Sequence, residues 1–177
     1  MVTVETVSIV FTGLSISLAA FYYIMTLRNA NKARQAQMFN ALNQDMTNFD
    51  GWLINRDLMY MEWDDYEDFE RKYGSDNNPE AYAKRISSWN WQNSLGITLN
   101  EGLIDAEMVY DAFGSTMIMS WKKWEPIIRE QRTRYMGENW MQYWEYLIDR
   151  MIAIQQSRGI SWKVPETLLR YVPDHGA

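Results

Sequence analysis

The side chains that could do chemistry in this sequence are mainly carboxylates, gathered in the run EWDDYEDFE at residues 62–70. Hard oxygen ligands of this kind suit Mg²⁺ or Ca²⁺. The run lacks the ligand spacing and the central glycine of an EF-hand loop, and Tyr66, Phe69 and Tyr73 recur at helical spacing instead. We therefore predict a short amphipathic helix with a solvated acidic face, and we assign no metal site and no cofactor.

Other catalytic groups are scarce. The chain has no cysteine, and its single histidine, His175, comes close to the end of the sequence. Thiolate nucleophiles and Cys/His zinc sites are excluded, and a Ser-His-Asp arrangement is disfavoured. The nine glycines are scattered singly and form no phosphate-binding loop. The sequence thus predicts a protein that is not an enzyme.

The overall charge bears on the kind of partner. The formal net charge is −6 at pH 7, whereas binding to nucleic-acid phosphates requires a concentrated basic surface. We therefore expect no nucleic-acid partner.

An uncharged stretch, residues 7–27, stands out in a chain that is otherwise charged every few positions. At about 1.5 Å of rise per residue, a helix of this length reaches about 30 Å, the thickness of the hydrocarbon core of a bilayer. Ser and Thr side chains interrupt it, and they can bond back to their own helix in lipid. Among them are Thr12, Ser15, Ser17 and Thr26. The stretch predicts a single transmembrane helix.

Two other interpretations of this stretch remain open. A cleaved signal peptide needs a positive N-terminal region, but the residues before the stretch carry only Glu5. A buried core helix of a soluble protein would normally show a polar stripe, which is absent here.

Charges at the two ends of the predicted span indicate its orientation. Arg28, Lys32 and Arg34 follow it, while no Lys or Arg precedes it. The sequence therefore predicts a single-pass protein of the cell (inner) membrane. By the positive-inside rule, its N-terminus lies outside and its C-terminal domain lies in the cytoplasm. The three cations are also predicted to lie at the membrane surface.

The rest of the chain predicts helices only. A juxtamembrane helix should continue to about residue 49, with a first break at Asp50 and Gly51, followed by a helix over about 52–61. Asn78 and Pro79 begin a helix to about residue 100, in which Gly96 permits a close helix contact. Asp105 caps the next helix. Gly114 and Ser115 should interrupt this helix, which then continues to about residue 134. A last helix should cover about 138–157, with Gly159 at its C-terminal cap.

The expected fold is therefore all-α, with one N-terminal transmembrane helix extended into a small cytoplasmic helical bundle. We divide the chain into a transmembrane anchor at 1–27, a helical bundle domain at 28–159 and an extended C-terminal tail at 160–177.

Eight of the nine tryptophans divide between core and candidate partner contacts. Five fall on apolar helix faces and are predicted to be core residues: Trp89, Trp121, Trp124, Trp140 and Trp144. Trp52, Trp63 and Trp162 lie near helix ends or in the tail, where partner contact and packing in the domain are both open; they are our candidate partner contacts. In the span, Gly13 and Ser17 form a small-residue face that could admit a partner helix, although ordinary lipid-facing residues remain the alternative.

Several motifs in order carry a family resemblance. The sequence has Gly96, the run GLID at 102–105, Trp121, Pro126 and Arg132, all behind an N-terminal span that ends in a short basic run. Over about residues 12–147 it resembles an uncharacterised family of prokaryotic membrane-anchored helical proteins. The resemblance implies a single span and an all-helical cytoplasmic domain, and it supplies no catalytic residues.

Two functional hypotheses follow. In the first, the protein is a non-catalytic accessory or scaffolding subunit, with the lipid bilayer and other membrane protein subunits as its partners. In the second, it is a membrane-bound sensor or enzyme that binds a small ligand or a divalent metal through its acidic and aromatic bundle. The missing catalytic groups favour the first hypothesis.

Overall fold

The structure is a computed structural model that describes residues 3–44 and 46–161, without the side chains of Thr6, Val7 and Val10. The described residues are helical and contain no strand. This confirms the predicted all-α class. Trp162, His175 and nearly all of the predicted tail at 160–177 lie outside the described residues.

Six α-helices and one π-helical turn make up this part of the chain. Their bounds are α1, Val4–Asn43; α2, Phe49–Met59; α3, Tyr66–Tyr73; α4, Pro79–Asn100; α5, Ala106–Gln131; the π-helical turn, Arg132–Met136; and α6, Gln142–Ser157. Contacts divide the chain into two compact units, Met1–Phe39 and Asn40–Ala177. The predicted domain boundaries at 27 and 159 stay predictions.

The predicted transmembrane helix is not supported by the structure. Within the described residues, no helix combines the length and the apolar character that crossing a membrane requires.

Asn and Asp side chains begin four of the helices of the second unit. The carboxamide of Asn48 accepts the Gly51 N–H, and that of Asn78 accepts the Ala81 N–H. Asp65 and Asp105 cap α3 and α5 in the same way. Each cap satisfies a backbone donor that the first helical turn leaves unpaired. The predicted starts at Asn78 and Asp105 are confirmed.

The first predicted break is wrong. Helix α1 ends at Asn43, before residue 49, and Gly51 lies buried inside α2. The Thr47 hydroxyl donates to the Asn43 carbonyl oxygen, and Asn48 caps α2. These short polar side chains bond to nearby backbone groups, and that competes with helix continuation.

Two further expectations need correction. Helix α5 runs without a break through Gly114 and Ser115, because Gly114 is buried in a long helix that packs on its neighbours. The last helix begins at Gln142 instead of about 138, after Met141 at a φ of 57°. The end at Gly159, with a φ of 63°, agrees with the predicted cap.

The core of the second unit lies where α4 and α5 pack on α6, with α2 and α3 against α4. Gly96 is buried on α4, and a Cβ atom there would overlap the Tyr143 carbonyl group. The predicted close approach is confirmed. Four of the five predicted core tryptophans are buried, namely Trp89, Trp121, Trp124 and Trp144, whereas Trp140 is half-buried.

Candidate functional site

The first candidate is the apolar surface of α1. Every side chain from Phe11 to Leu27 is exposed, and the ten large apolar ones keep between 41% and 75% of their surface open. Phe21, Tyr22, Tyr23 and Ile24 are consecutive, so at 100° per residue they project around the whole helix. A helix that is apolar on all sides normally has its whole circumference buried.

Polar groups in this segment bond to the helix itself. The Thr12 hydroxyl donates to the Ser8 carbonyl oxygen at 2.9 Å, and Ser15 donates to that of Phe11 at 2.8 Å. Ser17 and Thr26 form equivalent bonds, each 2.9 Å long, to the residues four positions earlier. The predicted back-bonding is confirmed. Through its hydroxyl, Ser17 is bonded to Gly13, so the two residues of the small face are adjacent on the helix.

Arg28, Lys32 and Arg34 are exposed on the same helix beyond the apolar segment. None of the three takes part in an ion pair found in the described residues. Their charges are thus available to solvent or to an anionic surface.

The predicted partner-contact tryptophans lie in different environments. Trp52 is 58% exposed on α2. Trp63 is half-buried, with its ring stacked on Trp124 at 5.0 Å between centroids and edge-on to Phe69 at 5.4 Å. Trp162 lies outside the described residues. Trp63 therefore packs against the core, and Trp52 remains an open aromatic surface.

The acidic run stabilises its own helix. Besides capping α3 through Asp65, it contributes Asp68, which is buried, accepts the Asp64 N–H and pairs with Lys72 at 2.6 Å and with Arg71. The hydrogen bond from Lys72 lowers the pKa of Asp68. The expected solvated face is thus only partly right, because Asp68 is turned inward. In the described part of the chain, no three acidic or histidine side chains are grouped so that they could hold a metal ion.

Two buried cations escaped the sequence reasoning. Lys123 on α5 is fully buried, and its ammonium group donates to the carbonyl oxygens of Met59 at 2.9 Å and Met61 at 2.6 Å. Its Nζ also lies 4.8 Å from the centre of the Trp63 ring. Burial lowers the pKa of Lys123 to about 8. Lys123 therefore fixes the chain that follows α2, at the cost of burying a charge.

Arg85 on α4 is the second buried cation. Its guanidinium lies 4.5 Å from the centre of the Phe69 ring and 5.1 Å from that of Trp89, and it donates to the Tyr73 carbonyl oxygen at 3.4 Å. Burial lowers its pKa to about 10, whereas the charge of Glu70 acts in the opposite direction. Cation–π contacts thus offset part of the hydration that this charge loses on folding.

A polar cluster lies beside Arg85. The Tyr66 hydroxyl donates to Glu70 Oε1 at 2.8 Å, and the amide of Gln131 donates to the same oxygen at 3.4 Å. Burial, followed by the hydrogen bond to Glu70, raises the pKa of Tyr66 to about 12. The cluster holds neutral and charged groups in fixed positions, and it presents no nucleophile paired with a general base.

Helical spacing was the signal that could have revealed these cations. Arg85 falls in the buried series of α4 between Ala81 and Ser88, and Lys123 falls in that of α5 between Ser120 and Ile127. A charged residue at such a position is buried wherever neighbouring helices cover the whole stripe.

Comparison with known proteins gives one match. A family model described as a domain of unknown function, DUF4760, covers residues 5–151. No curated protein and no solved structure matches the chain. The prokaryotic and membrane-anchored character that the resemblance implied stays a prediction. The match spans most of the 177 residues, and the chain therefore belongs to the DUF4760 family.

Proposed function

We propose that this protein is a membrane-anchored accessory or scaffolding subunit that acts by binding neighbouring membrane proteins and performs no chemistry. The observation that carries the proposal is the exposed apolar segment of α1, residues 11–27. Its partners are the lipid bilayer and other subunits of a membrane complex.

The energetic argument rests on the cost of leaving this segment in water. Burying a large apolar side chain contributes about 1.5–3 kcal/mol. Ten such side chains are exposed between Phe11 and Leu27, so transfer to an apolar environment would gain roughly 15–30 kcal/mol as an upper value. Hydroxyl groups that already bond to backbone carbonyl oxygens of α1 lower the cost of moving the segment out of water. A bilayer provides the environment that such a segment needs.

The charge distribution supports one orientation. Arg28, Lys32 and Arg34 follow the segment, and only Glu5 precedes it. The N-terminus is accordingly placed outside the cell (inner) membrane, and the helical bundle is placed in the cytoplasm. This arrangement leaves the open surface of Trp52 available to cytoplasmic parts of a partner.

Membrane fractionation of the full chain tests the anchor. The protein is expected in the membrane pellet after washing at high salt and at alkaline pH, and in solution after mild detergent. The double variant Leu18→Arg/Phe21→Arg should leave the pellet, because each arginine costs about 2.5 kcal/mol or more in a bilayer centre. The matched control Phe49→Arg/Trp52→Arg changes exposed apolar residues of the second unit and should stay membrane-bound. Release of the unaltered protein by salt alone would refute the anchor.

Single cysteines test the orientation without background labelling, because the chain has none of its own. Val4→Cys and Glu101→Cys both replace exposed residues. A membrane-impermeant maleimide should label the first variant in intact cells and the second only after lysis. The reverse pattern would overturn the orientation.

Affinity purification from native membranes tests the accessory role. The protein should co-purify with stoichiometric membrane subunits. Gly13→Leu should weaken that recovery several-fold if the small face of Gly13 and Ser17 seats a partner helix. Ala19→Leu is a matched control, since residue 19 projects from another side of α1. Recovery of the protein alone in mild detergent would contradict the proposal.

A further inference from the structure

An open groove lies on α1 where the apolar segment of this helix ends. Its volume is about 420 Å³, within the range of about 300–1,000 Å³ that is typical of ligand sites. The residues that line it are Met25, Arg28, Asn29, Asn31, Lys32 and Gln35. All six belong to the first unit, so the groove is formed by α1 alone.

The lining changes from apolar to polar along the helix axis. Met25 belongs to the apolar segment and is 41% exposed, whereas Arg28 and Lys32 follow that segment and are also exposed. Arg28 and Lys32 are separated by about 6 Å along the axis. This distance fits within the headgroup layer of a bilayer, which is about 5–8 Å deep on each side of the hydrocarbon core. The groove therefore suits a ligand with an apolar part and a polar part.

The charge in this part of the chain is entirely positive. Positions 6–44 contain no Asp or Glu, although the whole chain has a formal net charge of −6. Arg28 and Lys32 are four residues apart, so they lie on the same side of α1 and can both reach one phosphate group. Asn29 and Asn31 add amide donors to the same groove. The described lining thus provides two cations and no carboxylate, which favours an anionic phosphate as the polar part of the ligand.

We infer that this groove binds one anionic phospholipid, with Arg28 and Lys32 on its phosphate group and its acyl chains along the apolar segment. The inference rests on the proposed membrane anchoring, which brings α1 into contact with lipid. A zwitterionic headgroup is disfavoured, because none of the described residues that line the groove is a carboxylate that could pair with its ammonium group. Free phosphate is disfavoured because it has no apolar part to cover Met25.

Arg34 separates a defined site from a general attraction to anionic surfaces. It is exposed, as Arg28 and Lys32 are, but it does not line the groove. At 100° per residue it projects about 160° away from Lys32, on the opposite side of α1. General attraction to an anionic leaflet would use all three cations alike, whereas a site in the groove uses only Arg28 and Lys32.

Native mass spectrometry of the full chain in mild detergent tests the site. The probes are phosphatidylglycerol and phosphatidylcholine with identical acyl chains, and inorganic phosphate as a competitor. One phosphatidylglycerol molecule should bind saturably, about fivefold or more tightly than phosphatidylcholine, and millimolar phosphate should not displace it. Equal binding of the two lipids, or displacement by phosphate, would overturn the inference.

Three single substitutions locate the binding. Arg28→Gln and Lys32→Gln should each weaken phosphatidylglycerol binding about fivefold. Arg34→Gln, the matched control, should change it by less than about twofold. Each variant removes one positive charge from an exposed residue of α1, so the change in net charge is the same. An equal loss in all three variants would refute a defined site and leave general surface attraction as the explanation.

Reconstitution of the same protein into phosphatidylcholine nanodiscs checks the membrane anchor separately. Incorporation into these nanodiscs, combined with equal affinity for the two lipids, would refute the lipid site and leave the anchor intact. Failure to incorporate into nanodiscs of either lipid would refute the anchor, and the lipid site with it.

Discussion

The apolar segment of α1 and the core of the second unit use similar side chains in opposite ways. From Phe11 to Leu27 the aromatic and aliphatic residues are exposed on every side of one helix. In the second unit, Trp89, Trp124 and Trp144 are almost fully buried, and the ring of Trp89 lies 5.4 Å from Trp124 and 6.0 Å from Trp144. Composition therefore does not decide burial, which depends on the other helices packed against each face.

Polar groups separate the two regions as well. In α1 the hydroxyls of Thr12, Ser15, Ser17 and Thr26 bond to their own helix. In the second unit, Lys123 and Arg85 bond to carbonyl oxygens of other elements and contact aromatic rings. The two buried cations thus depend on tertiary contacts, whereas the four hydroxyls depend on their own helix. Substitutions at matched residues in the two environments test this difference.

The largest effect is expected from removing a core tryptophan. Trp144→Ala should lower the free energy of unfolding by about 4 kcal/mol, because it leaves a cavity among α4, α5 and α6. Trp52→Ala, at an exposed residue, should change it by less than about 1 kcal/mol. Denaturant unfolding of the full chain in nanodiscs, followed by tryptophan fluorescence, measures both. Equal losses would show that Trp52 belongs to the folding core.

Glycine substitutions compare helix contacts in the two regions. Gly96→Ala should cost about 3 kcal/mol, because the new Cβ overlaps the Tyr143 carbonyl group and α4 must move away from α6. Gly13→Ala meets no atom within 4 Å and should leave the unfolding of the bundle unchanged. The same unfolding assay measures both variants. A neutral Gly96→Ala would mean that the two helices can separate without loss.

The buried charge of Lys123 predicts a pH dependence. Burial lowers the pKa of Lys123 in the folded state to about 8, below its ordinary value of 10.5. Between these values the unfolded state holds the proton that the folded state has lost, so stability rises with pH. Relative to Lys123→Met, the unaltered protein should gain roughly 2 kcal/mol of unfolding free energy from pH 7 to pH 10.

Urea unfolding at several pH values measures this difference. Subtracting the Lys123→Met curve removes the contribution of Tyr66, whose raised pKa acts in the opposite direction above about pH 10. Parallel curves for the two proteins would show that Lys123 keeps its charge throughout the range.

The smallest effect concerns the acidic run. Asp65→Ala should lower the unfolding free energy by about 1 kcal/mol, because it removes the cap of α3. Asp64→Ala is the control, since Asp64 is exposed and the substitution keeps the backbone N–H that it donates to Asp68. Thermal unfolding with Mg²⁺ or with a chelator should give the same result for each variant. A metal-dependent loss would favour the ligand-binding hypothesis for this run.

Local signals in the sequence determined much of the fold. Asn78, Pro79 and Asp105 begin helices because their side chains or ring geometry satisfy backbone requirements within one turn. The buried series of α6, from Trp144 to Ile154, follows from helical spacing alone. The uncharged run at 7–27 likewise predicts a helix from the sequence alone, and helix α1 includes this run.

Only the tertiary structure decided which side chains are covered. Gly114 stays inside α5 because packing outweighs its low helix propensity, and Trp63 packs on Trp124 while Trp52 remains open. Lys123 is buried because carbonyl oxygens distant in sequence come within reach of its ammonium group. Caps and periodicity depend on neighbours along the chain, whereas burial depends on elements brought together by folding, and the sequence does not state which elements those are.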